Sequence, residues 1–290
     1  MALRNLGHGL LQSLRIMARN KVGFAGFLVT LLIVVVAFTA PLFVALDMTA
    51  NIDQIYQPPS LKHPLGTDYQ GRDIFRQILT GGREVIYVAA LSAFLVVLIS
   101  IVLGSLAALM GGWVDSLVNA AAELVLTIPH FPLLLVLAGF VRLNSPAGLA
   151  VILALIGWGT LTRTIRAQVL SLKERDYVQA ARALGLPTSH LLFREIMPNM
   201  MSYLLTQFVL TMTQAIYSQV GLIFLGIIPL ATHNWGVMIN LAWNQGAIYG
   251  SSSVWYLIAP ITVIVILQFA LISMNRSLEE LFNPRLRSGE

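Results

Sequence analysis

The chain contains no cysteine, only three lysines, and long stretches without any charged residue. Each shortage removes a class of function. Without cysteine there are no disulfides, no thiolate metal sites and no cysteine nucleophile, although the compartment stays open. The lysines (Lys21, Lys62 and Lys173) never follow a glycine, so the G-x-x-x-x-G-K-[ST] phosphate cradle of an ATP-hydrolysing chain is missing. The five histidines (His8, His63, His130, His190 and His233) are scattered singly, and neither H-E-x-x-H nor G-x-S-x-G occurs. No nucleophile, metal cluster or carboxylate pair stands out, so the chain reads as not an enzyme and as carrying no cofactor.

What is present is apolar. Hydrophobic residues make up 57% of the 290 and charged ones 11%, with a mean hydropathy of +0.78. Val22 to Leu46, Val85 to Val114 and Leu143 to Thr162 carry no charge, and neither does the interval between Glu195 and Arg276. Ser116 to Val141 carries only Glu123. A hydrocarbon core of roughly 30 Å takes about 20 residues of helix. The expectation is an all-α, polytopic membrane protein with six transmembrane helices near 22–46, 85–110, 116–141, 145–166, 199–229 and 255–275. The first run exceeds a signal-peptide core, and Pro41 follows the one tempting small residue, Ala40, so it reads as a retained span.

Charge sets the orientation. With the amino terminus inside, the inner segments are the tail, the turn near 111–115, the 163–195 segment and the carboxyl tail. They hold 13 of the 18 Lys and Arg. Both termini are therefore expected to be cytoplasmic, and the net charge of +5 reflects this retention, not nucleic-acid binding. An ion-driven transporter needs ionisable groups near mid-membrane. Only Glu123 is a candidate, and it reads as a packing or interhelical polar contact. The chain thus lacks both a fuel site and an evident ion-coupling site, and its work depends on a partner.

One segment breaks the apolar pattern. Tyr177 to Asn199 reads YVQAARALGLPTSHLLFREIMPN. Glu174 and Asp176 suit a helix start; Val178, Ala181 and Leu184 recur at helical spacing. Gly185 fits the position past a helix end, and Leu186-Pro187 forbids continuation. Thr188 or Ser189 is expected to cap a second short helix carrying Leu191, Leu192 and Ile196. Two readings follow from periodicity alone: a compact knob with small surface residues that enters a partner's groove, or an amphipathic connector lying on anionic lipid.

Resemblance separates them. Gln179-Ala180-Ala181-x-x-x-Gly185, followed by Ile196-Met197-Pro198, resembles the coupling motif E-A-A-x-x-x-G of ABC-importer permeases, with Gln179 in place of the acid. HPLGTDYQGRDIFRQILTGGR (His63 to Arg83) is similar to the HPLGTD…GRD motif of the dipeptide/oligopeptide/nickel branch, C-type subunit. FLGIIPLATHNWGVMI (Phe224 to Ile239) and NPRLR (Asn283 to Arg287) look like two further motifs of that branch, without the Pro-Pro common in the first. For His63 to Arg83 a Gly/Asp turn ahead of an amphipathic helix explains the composition but not the order.

The resemblance implies a permease subunit of a binding-protein-dependent importer in a bacterial or archaeal cytoplasmic (inner) membrane. Its implied partners are a second, homologous permease forming a heterodimer, two cytoplasmic ATP-binding subunits that hold the ATPase activity, an extracytoplasmic substrate-binding protein, and membrane lipid. The implied division is a cytoplasmic segment over 1–21, a first span over 22–46, an extracytoplasmic loop over 47–84, a five-helix core over 85–275 and a cytoplasmic tail over 276–290. Within the core, 170–198 would be the loop that couples to the ATPases, through Gln179, Ala180, Ala181, Gly185, Pro187 and Pro198. On the outer side, Trp235, Trp243 and Trp255 lie in the uncharged interval Leu230 to Trp255. They read either as an interfacial aromatic belt or as an outer gate or binding-protein contact. Oligopeptides come first as cargo, with oligosaccharide and nickel as alternatives.

Overall fold

The computed structural model describes residues 16–140, 145–227 and 233–282. Arg4, Arg15, Asn283 to Arg287 and the middle of Phe224 to Ile239 lie outside them. Among the described residues all regular structure is helical, apart from an isolated bridge between Thr67 and Asp73. The long helices are α1 (Lys21–Phe43), α2 (Ile74–Met110), α3 (Gly112–Thr127), α4 (His130–Phe140), α5 (Pro146–Lys173), α6 (Asp176–Ala183), α7 (Met197–Phe224), α8 (Trp235–Asn244) and α9 (Val254–Phe282).

Their starts are written locally. Asn20 accepts from the Gly23 amide at 3.0 Å, Asp73 from Arg76 at 3.1 Å, Ser145 from Gly148 at 3.1 Å and Asn234 from Val237 at 3.0 Å. Each side chain satisfies an amide that the first turn leaves without a partner. Pro146 adds a pre-set φ at the first turn of α5.

Helices α1, α2, α5 and α9 are each long and apolar enough to cross a membrane. A fifth candidate is the pair Gly112–Thr127 and His130–Leu137, bent by 84°. The expected straight span over 116–141 is thus broken. The cause is Pro129: its ring disfavours helical backbone at the preceding residue, and Ile128 is extended, at φ −86° and ψ 127°. Helix α7 is 28 residues long and free of charge, but its glutamines, serines and threonines dilute its apolar character. Helix α2 begins 11 residues before the uncharged run at Val85, because Asp73 caps it early.

The bundle is centred on α2, which packs most extensively on α5 and also on α7, α1 and α3. Gly104, Ser105, Ala107 and Ala108, the small residues of its inner half, are all buried. Helix α1 lies at the periphery against α9. Interhelical polar bonds tie the layers: Gln219 donates to the Val85 carbonyl at 2.8 Å, Ser100 to Trp158 at 3.1 Å and Gln268 to Thr213 at 3.3 Å. In an apolar medium such bonds add to close packing as glue. Glu123 approaches Arg163 of α5 at 3.7 Å, which makes it an interhelical contact.

The segments assigned to one side by charge also meet in space. Ser277 donates to the Met17 carbonyl, Lys173 to Ala108, and Arg166 pairs with Asp115. The opposite end carries the ordered loop 47–73 and α8.

Candidate functional site

The segment 174–198 forms a knob at the Arg166–Lys173 end of the bundle. Helix α6 closes with a paired turn: the Gly185 amide donates to Arg182 at 3.0 Å and Leu186 to Ala181 at 3.3 Å. This is the Schellman arrangement, which needs a left-handed residue past the helix end. Gly185 supplies it at φ +72°, and a Cβ built there meets nothing within 4 Å. Glycine is required for its backbone, not for room.

The sequence-picked residues divide. Val178 and Ala181 are buried against Leu191 and Ile196 of the same chain, while Ala180, Gly185, Pro187 and Pro198 face outward. The Gln179 side chain turns back, donating to the Lys173 carbonyl at 2.9 Å, and so splices α6 to the end of α5. Between them Tyr177, Leu184 and Phe193 project, at 40%, 79% and 65% exposure. Sequence reasoning missed this apolar rim, and it set Leu184 on one stripe with Val178 and Ala181. Leu184 instead faces outward, because the helix ends at Ala183 and the chain turns at Gly185.

The second short helix differs from expectation. Neither Thr188 nor Ser189 caps it; Pro187 holds the cap position without a side-chain bond. One turn, Thr188–His190, passes into a π-helical turn, Leu191–Ile196, and then directly into α7, with helical backbone at Leu191 and Met197. Pro198 has no amide to donate, and wider i→i+5 bonding just before it, Met197 to Leu192, accommodates the loss. The second half of the knob, residues 188–196, and α7 are therefore one rod.

Along that rod runs a second feature. Gln207, Thr211, Gln214 and Ser218 follow at i, i+4, i+7 and i+11, a single helix face, and line a cavity of about 540 Å³. Ser92 of α2, Thr160 and Thr164 of α5, Tyr203 of α7 and His130 at the α3–α4 break complete its polar lining, with Val96, Leu153 and Leu210 among the apolar groups. No Asp, Glu, Lys or Arg lines it. The amides of Gln207 and Gln214 make no hydrogen bond to other described residues. This cavity presents donors and acceptors in an uncharged wall. The four-residue stripe was legible in the sequence; which neighbours it would face was not.

The opposite end is held by a buried lock built from the His63 to Arg83 motif. Asp68 is fully buried and accepts from the amides of Gln70 and Arg72 at 2.8 and 2.9 Å, from Arg72 Nε at 2.7 Å and from Gln77 Nε2 at 2.9 Å. Burial pulls the Arg72 guanidinium down, but the charge and hydrogen bond of Asp68 more than reverse this and leave it above its ordinary value. Gly71 sits at φ +75°, where a Cβ would fall 2.0 Å from the Asn51 carbonyl oxygen. Asp73 caps α2 and also meets His63 Nδ1 at 2.9 Å. Order in the motif thus specifies a fold for the loop, beyond a generic turn.

Nearby, His233 Nε2 lies 3.2 Å from the Gln77 carbonyl. Burial pushes its pKa below the ordinary histidine value despite that bond. The tryptophans separate. Trp235 is buried and donates to the Ile78 carbonyl at 2.9 Å, so it is a packing anchor between α8 and α2. This corrects its reading as an outer gate, partner contact or belt residue. Trp243 and Trp255 remain exposed.

Comparison with known proteins gives consistent results. Residues 100–288 match the family model described as binding-protein-dependent transport system inner membrane component. The chain is 34% identical over 273 residues to the oligopeptide transport system permease protein OppC of Bacillus subtilis (strain 168), covering 92% of this chain and 87% of that one. It is 29% identical over 276 residues to the dipeptide transport system permease protein DppC of the same strain, covering 94% and 85%.

Proposed function

This chain belongs to the binding-protein-dependent transport system inner membrane components, and on that footing we propose how its parts divide the work. It is a multi-pass permease subunit of an ABC importer; ATP hydrolysis belongs to other subunits. In our reading it spans the bacterial or archaeal cytoplasmic membrane six times, with α7 as the remaining span and both termini inside. It pairs with a second, homologous permease, two ATP-binding subunits and an extracytoplasmic binding protein.

The cargo is peptide. The observation that carries this is the uncharged stripe of Gln207, Thr211, Gln214 and Ser218. Amide and hydroxyl groups pair with peptide N–H and C=O groups whatever side chains follow, and the lack of charge avoids selecting among those side chains. Selection then falls to the binding protein. The names of the two relatives favour the same cargo.

Coupling runs through the knob. Tyr177, Ala180, Leu184 and Phe193 enter a groove of the ATPase, with Gly185 setting their turn. Closure of the ATPase pair displaces Thr188–His190, and the continuous helix carries that displacement to the cavity wall as a rigid-body motion. Trp243 and Trp255 serve the outer gate or the binding-protein contact. The test is reconstitution of the full transporter with its binding protein. Peptide-loaded binding protein should raise ATPase activity and drive uptake; stimulation by oligosaccharide or nickel instead would overturn the cargo assignment.

A further inference from the structure

A second cavity, of about 590 Å³, lies where α1 and α2 leave the membrane. Its lining joins Phe38, Pro41 and Leu46 from α1 and its exit with Arg83, Glu84 and Tyr87 from α2. Two independent features fix its depth. The uncharged run of α1 ends at Leu46, just before Asp47, and the uncharged run of α2 begins at Val85, just after Glu84. Both apolar runs therefore stop at this cavity. On the reading of α1 and α2 as spans, that is headgroup level on the side opposite the knob.

The charges there are not used up by the protein. Among the described residues Arg83 has no acid within ion-pairing distance; its guanidinium lies 6.0 Å from the Phe38 ring centroid. Glu84 is half-buried and accepts one bond, from Asn234 Nδ2 at 3.2 Å. A cation and an anion thus stand side by side at the mouth of an apolar groove. Phe38 of peripheral helix α1 and Tyr87 of α2 are both exposed there.

From this geometry we infer that the cavity binds one zwitterionic phospholipid, phosphate on Arg83, ammonium on Glu84, and acyl chain along Phe38, Pro41 and Tyr87. The charge pair matches phosphatidylethanolamine in sign and order. An anionic lipid would meet Glu84 with nothing to neutralise it, and a lipid without a charged headgroup would leave Arg83 unpaired. The lipid fills the cleft between the peripheral helix and α2, so it stabilises the attachment of α1 at its outer end.

The experiment uses the assembled transporter in nanodiscs of phosphatidylethanolamine, phosphatidylglycerol or an equal mixture, with retained lipid identified by native mass spectrometry. From the mixture the wild-type complex should retain phosphatidylethanolamine over phosphatidylglycerol by about fivefold, the size of a partly exposed ion pair. Glu84→Gln preserves the acceptor for Asn234 and should abolish that preference while lipid is still retained. Arg83→Ala should lose the lipid, whereas Arg76→Ala, outside this cavity, should not. Equal retention of both lipids by wild type, or unchanged preference in Glu84→Gln, would overturn the inference. So would displacement of the lipid by a free peptide. Failure of the membrane reading would look different, with no lipid of either kind co-purifying.

Discussion

At the scale of single residues, the backbone requirement at Gly185 separates two explanations of its importance. Its Cβ direction is empty, so substitution acts through φ alone. Gly185→Ala should weaken the turn by about 1–2 kcal/mol, the cost of a left-handed alanine, and Gly185→Val by more, since β-branching makes positive φ worse. Gly185→Asn should lose least. The measurement is binding-protein-stimulated ATPase activity and uptake in proteoliposomes for all three; equal damage from Asn and Val would mean that bulk, not φ, governs. His233 gives a pH prediction at the same scale. Its folded pKa lies below the unfolded value, so stability is full above about pH 6.5 and is lost as pH falls through the depressed folded pKa. Thermal unfolding of the detergent-purified complex should shift downward on acidification, and His233→Gln should flatten that slope. A slope unchanged by the substitution would assign it to other groups.

At the scale of elements, the knob has an inner and an outer face, and substitutions should sort by face. Leu184→Glu or Phe193→Glu places a charge on the exposed rim and should strip the ATPases from the purified complex while leaving α6 folded. Ala181→Trp strikes the buried face and should damage the knob itself, because overpacking costs about 1–3 kcal/mol. Co-purification and limited proteolysis distinguish the two outcomes; retained ATPases in both rim variants would move the contact elsewhere. The outer loop offers the contrasting case. Asp68→Ala strands a buried Arg72 and should cost about 3–5 kcal/mol, read as early proteolysis of 47–73. Helix α6, its glycine stop and the apolar spans were legible in the sequence, because periodicity and turn chemistry act locally. The α3–α4 bend was equally local, written in Ile128-Pro129, and passed unread because an apolar run hides its own breaks. The burial of Trp235 was not legible: its partner carbonyl, Ile78, is 157 residues away. The same holds for the four bonds that close on Asp68, which need the loop's fold before they exist.

At the scale of the molecule, the continuity of residues 188–196 with α7 ties the proposed ATPase contact to the cavity. A helix of 28 residues extends about 42 Å at 1.5 Å per residue, long enough to carry a tilt from one membrane face to the other. The stripe from Gln207 to Ser218 rides on that rod, so in the proposed coupling the polar wall moves with the knob. Two consequences can be separated. Replacing Gln207 and Gln214 by Leu removes the hydrogen bonds proposed from this wall to passing cargo, worth about 1 kcal/mol each, so uptake should fall roughly fivefold per position. Stimulated ATPase activity should persist, because the rod is intact. Thr211→Asp, by contrast, puts a charge into an uncharged cavity wall and should make the transporter sort its cargo, favouring cationic over anionic peptides delivered by the same binding protein. Uptake assays with a matched peptide pair and parallel ATPase measurements read both effects. Loss of ATPase stimulation in the leucine variants would mean that the stripe stabilises the rod instead of contacting cargo. Unchanged discrimination in the aspartate variant would place the passage outside this wall.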